Sequence, residues 1–182
     1  HKLHVLPGGA NQSPADFMTL RWVGHGTNMA VEEQGADRYI WINSNANKLD
    51  DNSYSQSQTV SRIKYEAGKT LDKYSGETFY LPGKRNVHPA IDAASDLLAI
   101  TASTTGVRDF YVYKLSEALA LPVSDVSLTV TWGGEEGTQK TTETRVVQVR
   151  KLDQLTPVGQ FSVSTGKTAA DLGYSDFQGF DC

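Results

Sequence analysis

The chain has 182 residues, a formal net charge of −4, 38% hydrophobic residues and 21% charged residues, the composition of one globular domain with a real core. The acidic balance and the lack of a basic block give no general attraction to nucleic acid or anionic lipid. No apolar run reaches the ~18–20 residues that cross a bilayer, and the single cysteine, Cys182, leaves no internal disulfide framework and no cysteine-rich zinc site.

The first residue is His1 rather than Met, so we expect a start behind a removed leader or at a chosen boundary. From there the punctuation is all-β. Short runs rich in Val, Ile, Tyr, Thr and Trp alternate with Gly, Asn, Asp and Ser clusters. They predict strands near 27–33, 39–45, 59–65, 90–93, 97–102, 110–114, 127–132, 146–151 and 157–162. The Asn-, Ser- and Asp-rich stretch 43–57 is expected to be a loop, as is 133–144 with "GGEEG" at its tip. Helix signals are weak: "SEALAL" at 116–121 predicts one turn, and "TAADLG" at 168–173 has Thr168 as a candidate cap.

Three stretches share a theme: "GHGTNMAVE" from Gly24, "NVHPAIDAASDLLAITAS" from Asn86, and "FQGFDC" from Phe177. Each sets a polar ring or amide beside Gly or Pro, then a small apolar step, then a carboxylate. After the first two comes a hairpin and then a Tyr-bearing strand, "TVSRIKY" or "DFYVYKL". Three or four antiparallel strands repeated every ~40–60 residues are the signature of a β-propeller, in which the first strand of each blade lines a central channel. We therefore expect one unit over 1–182, with blade-like repeats starting near 24, 86 and 177. The alternative architecture is a β-sandwich.

In their order, Gly-His-Gly, "YIWINS", "SRIKYEAGKTL", "HPAIDAASDLLAI" and the late "FQGFD" resemble the helveticin-type class III bacteriocin family and the related secreted proteins called teichoic-acid-biosynthesis-protein-C-like. The resemblance runs from about Thr19 to Cys182. It implies a secreted or cell-surface β-propeller of about five blades. Such proteins continue beyond "FQGFD", and a five-blade ring needs about 200 residues or more. The expectation is thus an incomplete or nicked portion of three to four blades, completed by a second polypeptide or a C-terminal remainder. Cys182 would then lie inside a longer sequence.

The candidate ligand-binding residues are His25, Asn28, His88 and Gln178, at the repeated positions that would face one mouth of the channel. Glycine on both sides of His25 lets the backbone bend or a ligand approach closely, and Pro89 fixes the chain beside His88. Either histidine can equally tie neighbouring strands by hydrogen bonds. Glu32, Asp92 and Asp181 are the candidate catalytic residues, because glycoside hydrolysis needs two carboxyls ~5–9 Å apart across a sugar. A repeated acid also suits a structural turn.

No spacing supports a zinc site. "NKLDDNS" at 47–53 concentrates oxygen ligands but lacks the calcium-loop pattern, so no metal or cofactor is expected. "GKT" at 166–168 and "AGKT" at 67–70 lack the upstream glycine of a phosphate loop. Alternation places Tyr39, Trp41 and Asn43 on one strand face and Ile40 and Ile42 on the other. The sequence thus leads to a secreted or surface, bacteriocin-like binding protein whose partner is a cell-envelope glycan or a surface protein. The alternatives are a glycan-cleaving hydrolase and a structural surface protein without a small ligand.

Overall fold

The computed structural model describes residues 2–5, 16–20, 23, 28–47, 56–71, 77–104, 107–132 and 141–164. The elements are β1 (Lys2–Val5), β2 (Asp16–Leu20), β3 (Met29–Gln34), β4 (Asp37–Asn47), β5 (Gln56–Lys64), β6 (Thr70–Leu71) and β7 (Glu77–Tyr80). They continue with β8 (Arg85–Asp92), β9 (Leu97–Thr104), β10 (Val107–Lys114), α1 (Leu115–Ala120), β11 (Val123–Trp132), β12 (Thr141–Lys151), a 3-10 turn (Leu152–Gln154) and β13 (Gly159–Ser164). The protein is all-β with one short helix among the described residues, and no helix there is long and apolar enough to cross a membrane.

Two four-stranded antiparallel meanders carry the architecture. In the first, β3, β4, β5 and β7 pair in succession. Gln34 pairs directly with Asp37, so the β3–β4 turn has two central residues. Gly35 supplies the positive φ, 62°, that such a tight hairpin requires. In the second meander β8, β9, β10 and β13 pair in that order. Pro89 lies within β8 because β8 is an edge strand, where a missing N–H costs no ladder bond.

The fourth strand of the second meander is reached only after an insertion. The chain leaves β10, makes α1, and forms the hairpin β11–β12. This hairpin docks on the first meander: β12 runs parallel to β7 through Arg150–Phe79 and Lys151–Tyr80. Gln58 Nε2 donates to the carbonyls of Asn45 and Thr129, each at 2.8 Å, and Thr131 Oγ1 donates to Asn47 Oδ1 at 3.1 Å. A third, smaller sheet joins β1, β2 and β6.

The alternation in β4 decides what each face buries. Trp41, with Val60 and Phe79, packs in one cluster with Val87, Ile91, Leu98, Ile100, Tyr111 and Tyr113 of the second meander. Ile40, Ile42 and Ile63 face the other way, against Met18, Leu20 and Leu71 of the small sheet. Each such side chain contributes about 1.5–3 kcal/mol when fully buried. The hairpin has its own cluster of Leu128, Val130, Val147 and Val149. Leu115, Ala118 and Leu121 anchor α1 and its exit to the main core. Asp96 holds the helix start: its Oδ1 accepts from the Ser116 N–H at 2.7 Å and its carbonyl accepts from the Leu115 N–H at 3.0 Å.

Three corrections follow. The polar stretch 43–57 is not a loop throughout, since β4 runs to Asn47 and β5 restarts at Gln56. Side-chain hydroxyls are the reason. Ser44 Oγ lies 2.8 Å from Thr59 Oγ1 and 2.7 Å from Ser61 Oγ, and Asn45 Nδ2 donates to Thr59 Oγ1 at 2.7 Å. The hydroxyls and the Asn45 amide N–H therefore find partners inside the sheet. The second expected loop ends earlier than its polarity suggests: β12 begins at Thr141, where threonines pair across the hairpin as Thr131–Thr142 and Thr129–Thr144. Finally, β8 begins at Arg85 rather than near 90, because an edge strand tolerates Pro89. The expected turn at 168–173 lies outside the described residues.

Candidate functional site

The first strands of the two meanders meet at Asn28, just before β3, whose side-chain amide donates to the Pro89 carbonyl in β8. Of the four expected ligand-binding residues, the structure brings Asn28 to the residue that follows His88. His25 and Gln178 lie outside the described residues, as do Asp181 and Cys182.

His88 is buried, and its Nε2 lies 2.9 Å from Asn86 Oδ1. A β-bulge falls between Arg85 and His88, and Asn86 has φ 51°. Asparagine tolerates that left-handed conformation better than most residues. The bulge adds one residue to β8 and so re-aims the side chains around it. Burial, then the nearby Arg108 charge, lowers the His88 pKa to about 4. The folded value lies below the ordinary 6.5, so on acidification the unfolded chain takes up the proton first. This contribution to stability is complete above about pH 6.5 and is lost as pH falls toward 4. His88→Gln is therefore expected to flatten the pH dependence of the urea midpoint across that window. Parallel profiles for variant and wild type would count against a neutral buried His88.

The candidate acids have different surroundings. Glu32 is buried and accepts from Arg62 Nε at 2.7 Å, Arg62 Nη2 at 2.8 Å and Trp41 Nε1 at 2.7 Å. Burial pushes its carboxyl up, but the hydrogen bonds from Arg62 and Trp41 and the Arg62 charge outweigh it and hold the pKa below the ordinary value. A general acid needs the opposite shift. Arg62 also donates to Glu77 Oε2 at 2.7 Å and Gln34 Oε1 at 3.2 Å, and its guanidinium lies 3.4 Å from the Tyr39 ring centroid. Glu77 reaches on to Arg150 Nη2 at 3.1 Å, tying the inserted hairpin into the network. Asp92 closes β8, where its Oδ1 accepts from the Ser95 N–H at 3.1 Å. The hydrogen bonds from Ser95 lower its pKa.

Residues outside the sequence-derived set also gather here. Register places Arg85, Ser103 and Arg108 in one row across β8, β9 and β10. The next row is His88, Thr101, Phe110 and Phe161. On the opposite face Asp109 accepts from Lys84 at 2.8 Å and from Ser162 at 2.6 Å. Such rows depend on strand register and on a bulge, and no local motif announces them. Among the described residues no three His, Cys, Asp or Glu side chains converge as metal ligands would.

The arrangement defines an all-β protein of successive antiparallel meanders whose first strands adjoin. A protein of Bacillus subtilis (strain 168), named "Putative major teichoic acid biosynthesis protein C", is 32% identical over 113 residues. The match covers 58% of this chain and 24% of the relative, so it spans about a quarter of that protein's length. No family model and no solved structure matches the chain.

Proposed function

We propose that the chain is part of a secreted or cell-surface bacterial β-propeller that recognises a cell-envelope glycan or surface partner where its first strands meet. The observation that carries this is the Asn28–Pro89 hydrogen bond, which joins the first strands of two successive four-stranded meanders. Support comes also from the core shared by the two sheets and from the relative named for teichoic acid biosynthesis. Teichoic acids are polyol phosphate polymers of the wall, which makes wall polymer the partner class to try first. The Gly-His-Gly and "FQGFD" motifs support a helveticin-type, bacteriocin-like role. A second polypeptide or a C-terminal remainder supplies the other blades of the ring.

The test is sedimentation with purified cell walls, intact and stripped of teichoic acid, alongside Asn28→Ala. Retention on intact walls, weakened about tenfold in the variant, is the expected result; tenfold corresponds to about 1.4 kcal/mol. Failure to bind either wall preparation would remove the proposal.

A further inference from the structure

The sheets stack in the order in which the chain makes them. Ile40 and Ile42 of β4 turn back to the small sheet that holds β2, and Trp41 turns forward to the second meander. Leu98 and Ile100 of β9, with Tyr111 and Tyr113 of β10, turn back to meet it. Alternation sends the other side chains of the second meander to its far face. Register sets them there in rows: Ala90, Ala99, Val112 and Gly159; His88, Thr101, Phe110 and Phe161; Arg85, Ser103, Arg108 and Val163.

This far face is covered, and unevenly. Ala90, Ala99, His88, Thr101 and Arg108 are all buried, Thr101 completely. His88, Arg108 and Phe110 are engaged in contacts. His88 and Arg108 stand tall on the sheet, so their burial needs cover from above rather than from the sides. A buried guanidinium also needs an anionic partner. Yet Ala90 and Ala99 belong to none of the three hydrophobic clusters formed among the described residues. At the β13 end the cover stops: Phe161 is 55% exposed and Val163 44%. The covering segment therefore lies over β8, β9 and β10 and leaves β13 open.

Chain order names the segment. By the succession of layers, what packs on this face follows β13, and the chain continues there through 165–182. The stretch 165–176 spans up to ~40 Å when extended, against ~15 Å from β13 across three strand spacings to β8. Beyond it, "YSDFQGFDC" at 174–182 brings Tyr174, Phe177 and Phe180 together with Asp176 and Asp181, and no cation. The face offers the complement. Arg85 and Arg108 flank Ser103, and the acid described on this face, Asp92, sits at the opposite end, bonded to Ser95.

We infer that 174–182 docks on the far face of the second meander, over β8, β9 and β10, with its aspartates toward Arg108. This deepens the propeller reading above and rests on its succession of sheets, not on wall binding.

The experiment places a nitroxide spin label on Cys182, the single cysteine, in the full chain and follows methyl NMR signals. Ala90, Ala99 and Thr101 are expected to lose most of their intensity, while Ile40 and Ile42, behind the first meander, keep theirs. Asp176→Asn combined with Asp181→Asn should restore at least half of the lost intensity. Full intensity of the three far-face methyls in the labelled wild type overturns the inference. So does the same loss in isotope-enriched chains without a label when they are mixed with labelled ones, which assigns the cover to a second copy. Loss unchanged in the double variant overturns the pairing of the aspartates with Arg108. Wall sedimentation of the same samples separates the two proposals. Binding to walls with the methyls unaffected removes only the docking, and docking without wall binding removes only the recognition of walls.

Discussion

Arg62→Ala is expected to lower the unfolding free energy by about 3–5 kcal/mol, the cost of leaving one partner of a buried ion pair uncompensated. The side chains of Arg62 and Glu32 are only 7% and 5% exposed. Removing the guanidinium leaves the Glu32 carboxylate with Trp41 Nε1 as its remaining donor among the described residues and leaves Glu77 paired with Arg150. The pH dependence gives a sharper signature. In the wild type the lowered Glu32 pKa contributes stability above the ordinary value of 4.5, and this is lost as pH falls through the folded value. Without Arg62, only the Trp41 hydrogen bond opposes burial, the largest effect on Glu32, so its pKa rises relative to the wild type. The variant is then relieved when the carboxyl is protonated, so its deficit should narrow on acidification. Urea unfolding at pH 7 and near pH 4.5 measures this directly. A deficit under ~1 kcal/mol at both values would mean that the pair behaves like a solvent-screened surface bridge.

Trp41→Ala should cost a similar amount, about 3–5 kcal/mol, for a different reason. The indole is fully buried between the two meanders and stacks on Phe79, with centroids 5.0 Å apart. Its loss leaves a cavity in the cluster that joins the sheets. Trp41→Phe keeps most of the packing but removes the Nε1 donor to Glu32, and its cost should fall near 1 kcal/mol plus the small volume change. Because Trp41 and Arg62 share Glu32, their effects should be non-additive in a double-mutant cycle. Additive losses would show that the hydrogen bond and the ion pair act independently.

Much of the strand pattern was legible because alternation and turn residues are local. Ile40 and Ile42 against Tyr39, Trp41 and Asn43 announce the two faces of β4, and "SEALAL" announces the single turn of α1. β7 escaped because "ETFY" is too short to show a period, and β2 for much the same reason. The polar ends of β4 and β5 escaped because their hydrogen bonds run between side chains distant in sequence. Asn28 and His88 were visible as unusual residues near Gly and Pro. The Glu32–Arg62 pair and the Arg85–Ser103–Arg108 row were not. Their partners are fixed by register, and in β8 a bulge shifts that register by one residue.

The detour between Lys114 and Gly159 has a consequence for how the molecule comes together. Strand β13 completes the second sheet, yet the chain that delivers it first makes α1 and a hairpin anchored on the first sheet by Gln58 and Arg150. The entropy of closing so long a gap grows only slowly with length, but it must be met before β13 gains any pairing. Collapse of the hairpin onto the first sheet would shorten the search, and we expect β13 to dock after it, with Phe161→Ala slowing folding less than Trp41→Phe in a φ-value comparison. The stack of Phe110 on Phe161 joins β10 to β13, so it forms only once β13 has paired.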